Sequence, residues 1–411
     1  MFIKFVTLAL FQNFKWERVK NEILSNRKNL GEGKSDLYLE SILVTKNRVL
    51  ERNQKKMQLT DLGWNSFFEN QWEQYKNQNF SAMRIVRENR EKYIAYSEFG
   101  ELICEISGKF RFETDNKSNF PTVGDWVVGT VLLNEKKAII HALLTRKSAF
   151  SRKVAGQITE EQVVAANVDT IFIVTGLDLN FNVRRIERFL TLAWNSGATP
   201  VILLNKSDLC AESESRKCEV ESIAIGVQIF ALSASNHIGM EFLNAYIIPG
   251  KTIAFIGSSG VGKSTIINSL LGSDKLKVNE VSELGSRGRH TTTYRELIIL
   301  PNGGIVIDTP GMRELQVWGD EEGLNHTFED IEELALNCHF KDCSHETEPG
   351  CAIREAVNNG SIDPKRLESY FKLKKEYSYL ADRQTMKASA IEKVKNKGIS
   401  KQIKNFFKDK L

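Results

Sequence analysis

The sequence predicts a multidomain chain: a small closed β-barrel, then a doubly wound α/β domain, then a helical domain carrying a cysteine cluster. Three observations carry that prediction. Short β-rich runs crowd residues 82–147, strands and helices alternate from about residue 168, and Cys338, Cys343, His345 and Cys351 fall within fourteen residues. A length of 411 residues exceeds one ordinary domain and suggests two to four. With 41% hydrophobic and 26% charged residues, disordered, collagenous and membrane-embedded classes are excluded.

The charge is unevenly spread. Residues 1–56 carry 12 Lys/Arg against 6 Asp/Glu and residues 361–411 carry 14 against 6, so the overall +4 leaves −10 to residues 57–360. Basic ends around an acidic middle raise the prospect of a polyanionic partner, against a plainer reading as solvated helix faces. Six scattered or clustered cysteines in a chain of this size read as a reducing compartment with one metal site, not a disulfide scaffold. No run approaches the ~18 apolar residues that span a bilayer. The apolar run Phe5–Phe11 has only Lys4 before it and no small-residue cleavage site after it, so a cytoplasmic protein without a signal peptide is expected.

Taken in order, residues 1–56 read as an N-terminal extension of one or two poorly packed helices. A new helical pattern starts at Met57 (Leu59, Leu62, Trp64, Phe67, Phe68) and leads the barrel, giving a first domain over 57–150. Strands are expected at 84–87, 93–96, 102–106, 109–112, 126–133 and 138–144, parted by Gly100, Gly108, Pro121 and Gly124. So many short strands in so few residues suggest an OB-like or SH3-like barrel, a scaffold that can also stack single-stranded nucleic acid on aromatics. The second domain, 151–322, should have strands at 170–175, 200–205, 228–232, 252–256, 297–300 and 305–308, with helices at 183–196, 213–225 and 263–271. The last domain, 323–411, is helical and ends in a Lys-rich tail.

Between the strand at 252–256 and the helix at 263 stands Gly257-Ser258-Ser259-Gly260-Val261-Gly262-Lys263-Ser264-Thr265, a phosphate-binding loop in the context that motif requires. Its glycines let backbone N–H groups turn inward around phosphates, and the following helix adds its positive end. Lys263 offers a point charge to the β- and γ-phosphates, and Ser264 a hydroxyl to Mg²⁺. Asn205-Lys206-Ser207-Asp208 follows a strand at the ligand-binding edge of the sheet. The Asp208 carboxylate can accept from N1–H and the 2-amino group of guanine, donors that adenine lacks there, so GTP is expected and an ATPase is not. Ser233-Ala234-Ser235 fits a loop contacting the guanine O6. Asp308-Thr309-Pro310-Gly311 follows another strand; Asp308 would hold Mg²⁺ through water and the Gly311 N–H would sense the γ-phosphate. In the Thr run after His290, either Thr292 or Thr293 would complete the Mg²⁺ shell.

The order of these elements departs from ordinary P-loop GTPases, where base recognition comes last. Here 205–208 and 233–235 precede 257–265, which precedes 308–311, and in this the chain resembles the circularly permuted GTPases. The segment after Gly311 then runs straight into the next domain, so nucleotide state and that domain should be coupled. In Cys338-x4-Cys343-x-His345-x5-Cys351, three thiolates and one imidazole match a closed tetrahedral structural Zn²⁺ site, with His339 as a competing ligand.

A barrel, a permuted GTPase and this cysteine-histidine element in that order resemble the ribosome small-subunit-dependent GTPase A family over roughly residues 57–375. The resemblance extends to Gly288–Thr293, Asp308–Glu314 and His345–Cys351. It implies a monomer that docks in its GTP form on the small (30S) subunit, contacting 16S rRNA near the decoding region, and leaves after subunit-stimulated hydrolysis late in assembly. Two alternatives stand beside it: a nucleotide-gated RNA-binding switch with incidental hydrolysis, and a permuted GTPase of large-subunit assembly. Ras-type enzymes place a water-orienting Gln after the glycine of the Asp308 loop, where this chain has Met312. Slow intrinsic turnover follows, with His290 as the candidate catalytic residue in cis, against a reading as a surface histidine without a role.

Overall fold

A computed structural model of the chain describes residues 57–89, 92–114, 116–153, 160–272, 295–308 and 318–385. Of the two units into which the chain divides, Met1–Met57 and Gln58–Leu411, all described residues except Met57 belong to the second. The expected N-terminal extension at 1–56 and the tail beyond 385 lie outside the described residues, as do His290, Thr292, Thr293, Gly311 and Met312.

The helical pattern from Met57 is realised in two pieces. A 3-10 turn at Leu59–Leu62 ends at Gly63 in the left-handed region, and α1 (Ser66–Trp72) begins after Asn65, whose side chain accepts from the Phe67 N–H. Trp64 and Phe68 from this segment pack on the buried Trp126 ring, at centroid distances of 4.8 and 5.8 Å. Five strands follow: β1 (Ser81–Asn89), β2 (Lys92–Ser97), β3 (Gly100–Ile106), β4 (Trp126–Leu132) and β5 (Lys137–Leu143). They pair in the order β1-β2-β3-β5-β4 and close through β1–β4, with β3 and β5 parallel, giving an OB-type barrel. Alternation along the strands sends Met83, Ile85, Ala95, Leu102, Cys104, Val127 and Ile140 into its core.

One expected strand is a helix. Residues 109–112 form the middle of α2 (Gly108–Glu113) because the Ser107 hydroxyl caps its first turn, accepting from the Phe110 N–H. The Lys-Phe-Arg-Phe alternation mimics a strand, but the cap decides. A hairpin that the pattern did not reveal, β6 (Ala149–Lys153) with β7 (Glu161–Ala166), joins the barrel to the α/β domain.

The α/β domain holds β8 (Thr170–Gly176), α3 (Val183–Asn195), β9 (Thr199–Asn205), α4 (Ser213–Glu221), β10 (Gln228–Ala231), β11 (Thr252–Ile256), α5 (Lys263–Leu271), β12 (Glu296–Ile299) and β13 (Ile305–Asp308). Strands β10-β9-β8-β11-β13 are parallel, and β12 is antiparallel to β13. Both faces are covered, so the strands read as continuous apolar runs: Ile171 and Ile173 enter one core, Phe172 and Val174 the other. Helix α4 stops earlier than its apolar pattern suggests, turning out through residues 222–226.

The barrel and the α/β sheet are one surface. Strand β12 pairs with β1 at Arg87↔Glu296, and their side chains form an ion pair across the junction. Behind it lies Arg84, buried, donating to the carbonyls of Leu62, of Gly124 (3.1 Å) and of Asn167 (3.2 Å). Burial lowers this guanidinium to about 10, against the pull of Asp169 and Asp125, so it stays charged at neutral pH. One cation thereby ties the leading turn, the barrel and the α/β domain together.

The C-terminal part contains α6 (Glu322–Thr327), α7 (Glu329–Ala335), α8 (Ala352–Asn358) and α9, a helix over 364–385 among the described residues. It grips α3. Arg366, nearly fully buried, bonds Glu187 at 2.8 Å and Asp330 at 2.6 and 2.8 Å, while Arg188 meets Glu376 and Arg184 meets Asp363. Asn195, at the other end of α3, bonds the Gly323 N–H, the Asp320 carbonyl and the Tyr377 hydroxyl.

Candidate nucleotide and metal sites

The expected phosphate loop runs from the end of β11 into α5, as its glycines require. Gly257, Gly260 and Gly262 have φ of +147°, +79° and +98°, a region that L side chains disfavour. Space excludes a side chain as well. A Cβ on Gly257 would sit 2.2 Å from the Val174 carbonyl oxygen, and one on Gly262 would sit 2.1 Å from Asn205 Nδ2. Val261 is buried beneath the loop, whereas Ser259 and Gly260 are exposed at its crest. Lys263 opens α5, and its Nζ donates to the loop's own Gly257 and Ser258 carbonyls at 2.7 Å each. Ser264 and Thr265 occupy the first turn of that helix, half-buried beside it.

Asn205 joins the loops. Its side chain is buried at the tip of β9, with Nδ2 donating to the Val261 carbonyl at 2.7 Å and Oδ1 accepting from the Ala234 N–H at 3.0 Å. The Asn205–Asp208 segment, the Ser233–Ala234 loop and the phosphate loop thus meet at one amide, although 29 and 56 residues separate Asn205 from its two partners. Lys206 takes the left-handed conformation that turns the chain from β9 into the 3-10 segment Ser207–Leu209. Ser207 N–H bonds the Leu232 carbonyl, fixing that segment to the end of β10, and Asp208 stands exposed above it. Ser233 is buried, its hydroxyl 3.2 Å from that of Ser235. Asp308 ends β13, on the same carboxyl edge of the sheet as β9 and β11.

Two residues beside this site were not singled out from the sequence. Asp178, just past β8, forms a 2.6 Å ion pair with Lys206. Burial raises its carboxyl, but the Lys206 ammonium and the Asn180 N–H together outweigh that and hold it below the usual aspartate value. Its place two residues beyond a strand at the ligand edge was the available signal. Arg185, in the first turn of α3, reaches Ser258 Oγ at 3.3 Å. Nothing in its local sequence marks it.

The C-terminal ligand set also assembles. One ligand atom from each of Cys338, Cys343, His345 and Cys351 lies within 4.8 Å of the others. His345 Nδ1 is 3.5 Å from both the Cys338 and Cys351 sulfurs. His345 has φ +66°, which folds the loop so that its ring faces the thiols. Burial raises the Cys338 thiol, yet the N–H groups of Ala352 and Ile353 and the neighbouring thiols reverse the shift and favour thiolate. His339, the competing ligand, instead packs edge-on against Phe340 at 4.7 Å. Glu348 closes the loop, accepting from the Ser344 hydroxyl and from the N–H groups of Ser344, Glu346 and Thr347. Three sulfurs and one imidazole nitrogen at this spacing could hold Zn²⁺ with no coordination position left open.

A family model described as RsgA GTPase matches residues 143–318. The chain is similar to the small ribosomal subunit biogenesis GTPase RsgA of Opitutus terrae, 43% identical over 340 residues covering 80% of this chain and 92% of that protein. It is similar to small ribosomal subunit biogenesis GTPase RsgA 1 of Oceanobacillus iheyensis at 44% identity, over 80% and 94% of the two chains. Among solved structures, YjeQ from Thermotoga maritima aligns with a TM-score of 0.56 at 30% identity, covering 74% of this chain and 99% of that one. YloQ, a circularly permuted GTPase, aligns with a TM-score of 0.52 at 24% identity over 75% and 98%, a likeness of fold.

Proposed function

The chain belongs to the RsgA GTPase family, and from that premise we propose that it hydrolyses GTP as a late assembly factor of the small ribosomal subunit. In this reading it docks on 16S rRNA near the decoding region in its GTP form, acts as a monomer in the cytoplasm, and leaves after subunit-stimulated hydrolysis. The observation that carries the nucleotide part is the Asn205 amide, which gathers base-reading and phosphate-reading loops at one point. No helix among the described residues is long and apolar enough to cross a membrane.

Roles follow from position. Asp208 reads the guanine edge, and Ser207, Ser233 and Ala234 frame it. Gly257 through Gly262 present N–H groups to the phosphates, and Lys263 exchanges its two loop carbonyls for phosphate oxygens. Mg²⁺ bound with the nucleotide would supply charge neutralisation at the phosphates; Ser264, Thr292 or Thr293, and Asp308 through water would hold it, while the Gly311 N–H senses the γ-phosphate. Zn²⁺ on Cys338, Cys343, His345 and Cys351 is a fold staple. His290 orients water in place of the Gln that Met312 replaces. We assign the barrel to 57–150, the GTPase domain to 151–322 and the zinc domain to 323–411, with the barrel and zinc domain contacting rRNA.

Co-sedimentation with isolated 30S and 50S particles tests this, in a non-hydrolysable GTP analogue and in GDP. Binding to 30S with the analogue and release with GDP is expected. Indifference to particle and nucleotide overturns the proposal.

A further inference from the structure

The phosphate loop has two ends, and each is held by a different part of the molecule. At the α5 end, Asn205 bonds the Val261 carbonyl and lies against Gly262. At the β11 end, Arg185 Nη1 lies 3.3 Å from Ser258 Oγ and 3.3 Å from the Asn180 carbonyl. A nucleotide whose base sits over Asp208 lays its phosphates along the loop away from Asn205, so its terminal phosphate arrives at the Ser258 end. On the GTPase reading, Arg185 would therefore stand beside the phosphate that distinguishes GTP from GDP.

Its own position is fixed. The Arg185 N–H donates to the Asn182 cap at 2.9 Å, and the residues around it on α3 are clasped by the C-terminal helices: Arg184 by Asp363, Glu187 by Arg366, Arg188 by Glu376. Lys263 currently donates to the Gly257 and Ser258 carbonyls. Once phosphates recruit Lys263, its bond to the Ser258 carbonyl is released, and the hydroxyl contact with Arg185 remains to hold Ser258.

We propose that Arg185 is a positioning residue that acts through the Ser258 hydroxyl to hold the γ-phosphate end of the loop while Lys263 engages the nucleotide, favouring GTP over GDP. The inference rests on the GTPase reading of the site and adds a residue to it. One partly exposed charge-assisted hydrogen bond changes affinity by about 5-fold.

The test is a double-mutant cycle on the full chain: wild type, Arg185→Ala, Arg185→Lys, Ser258→Ala and Arg185→Ala/Ser258→Ala. Each is titrated with a non-hydrolysable GTP analogue and with GDP, and its unfolding midpoint is recorded. Arg185→Ala should weaken analogue binding about 5-fold and GDP binding less than about 2-fold, with partial rescue by Arg185→Lys. In the Ser258→Ala background the same substitution should have no further effect. Equal loss for both nucleotides, no loss, or an undiminished loss without the Ser258 hydroxyl each overturns the proposal. Wild type that binds neither nucleotide would instead sink the GTPase reading itself, so the two failures are distinct.

Discussion

Replacing Asn205 by Ala removes the amide on which the nucleotide site converges. The deletion strands two buried backbone groups, the Val261 carbonyl and the Ala234 N–H, which lose bonds of 2.7 and 3.0 Å. Each unsatisfied buried group costs about 1–3 kcal/mol, so the pair should cost about 2–6 kcal/mol, shared between folding and binding. If about 2 kcal/mol falls on binding, affinity drops about 30-fold. GTP and GDP should suffer equally, because the amide orients loops and lies away from the Ser258 end. Asn205→Asp sharpens the expectation: it restores the acceptor for Ala234 but sets an oxygen against the Val261 carbonyl, so it should bind no better than the alanine variant. Fluorescent-nucleotide titration with urea unfolding measures both shares. Wild-type affinity together with an unchanged unfolding midpoint would refute the reasoning, and so would a loss confined to GTP.

Arg84→Met should destabilise the chain by about 2–4 kcal/mol in chemical denaturation, because the buried Leu62 and Asn167 carbonyls lose a donor while that of Gly124 keeps the Asn167 amide; unaltered stability would show that the two carbonyls find other partners. Metal analysis should find one Zn²⁺ per chain, and Cys343→Ser should lose it with a fall of about 5–10 °C in Tm; retention of stoichiometric metal by the variant would remove Cys343 from the ligand set. The Asp169 carboxyl is raised by burial but held below its usual value by the Thr252 N–H and Lys147, as Asp178 is by Lys206. Because both folded-state values are depressed, their stabilisation is complete above the ordinary aspartate range near 4 and is lost as pH falls through the lower folded values. Urea midpoints should therefore drop below about pH 4, and less steeply in Asp178→Asn; identical acid limbs would remove Asp178 from that linkage.

What could be read in the sequence was local chemistry. The phosphate loop, Asn205–Asp208 and the cysteine-histidine element each compress their function into fourteen or fewer residues, with side-chain types that few other tasks require. The parallel strands were legible because burial on both faces leaves long apolar runs. Residues 109–112 misled because alternation is a weaker local signal than a serine cap two residues upstream. The contacts that assemble the site were illegible for a different reason. Asp178 reaches Lys206 across 28 residues, Arg185 reaches Ser258 across 73, and Arg87 reaches Glu296 across 209. An Arg on a helix or an Asp in a loop is too common to announce a distant partner, and only the closed fold brings them together.

The pairing of β1 with β12 has a consequence for how the chain is made. Strand β1 leaves the translating ribosome 209 residues before its neighbour at Glu296. At about 5–20 residues per second, roughly 10–40 s pass in which the end of β1 around Arg87, past its pairing with β4, has an open edge. Such an edge is a template for pairing with another nascent chain. The same edge would reappear on β12 if the barrel were trimmed away to isolate the α/β domain. Fragments cut at that boundary should self-associate unless β12 is shielded, while the intact chain closes the edge itself.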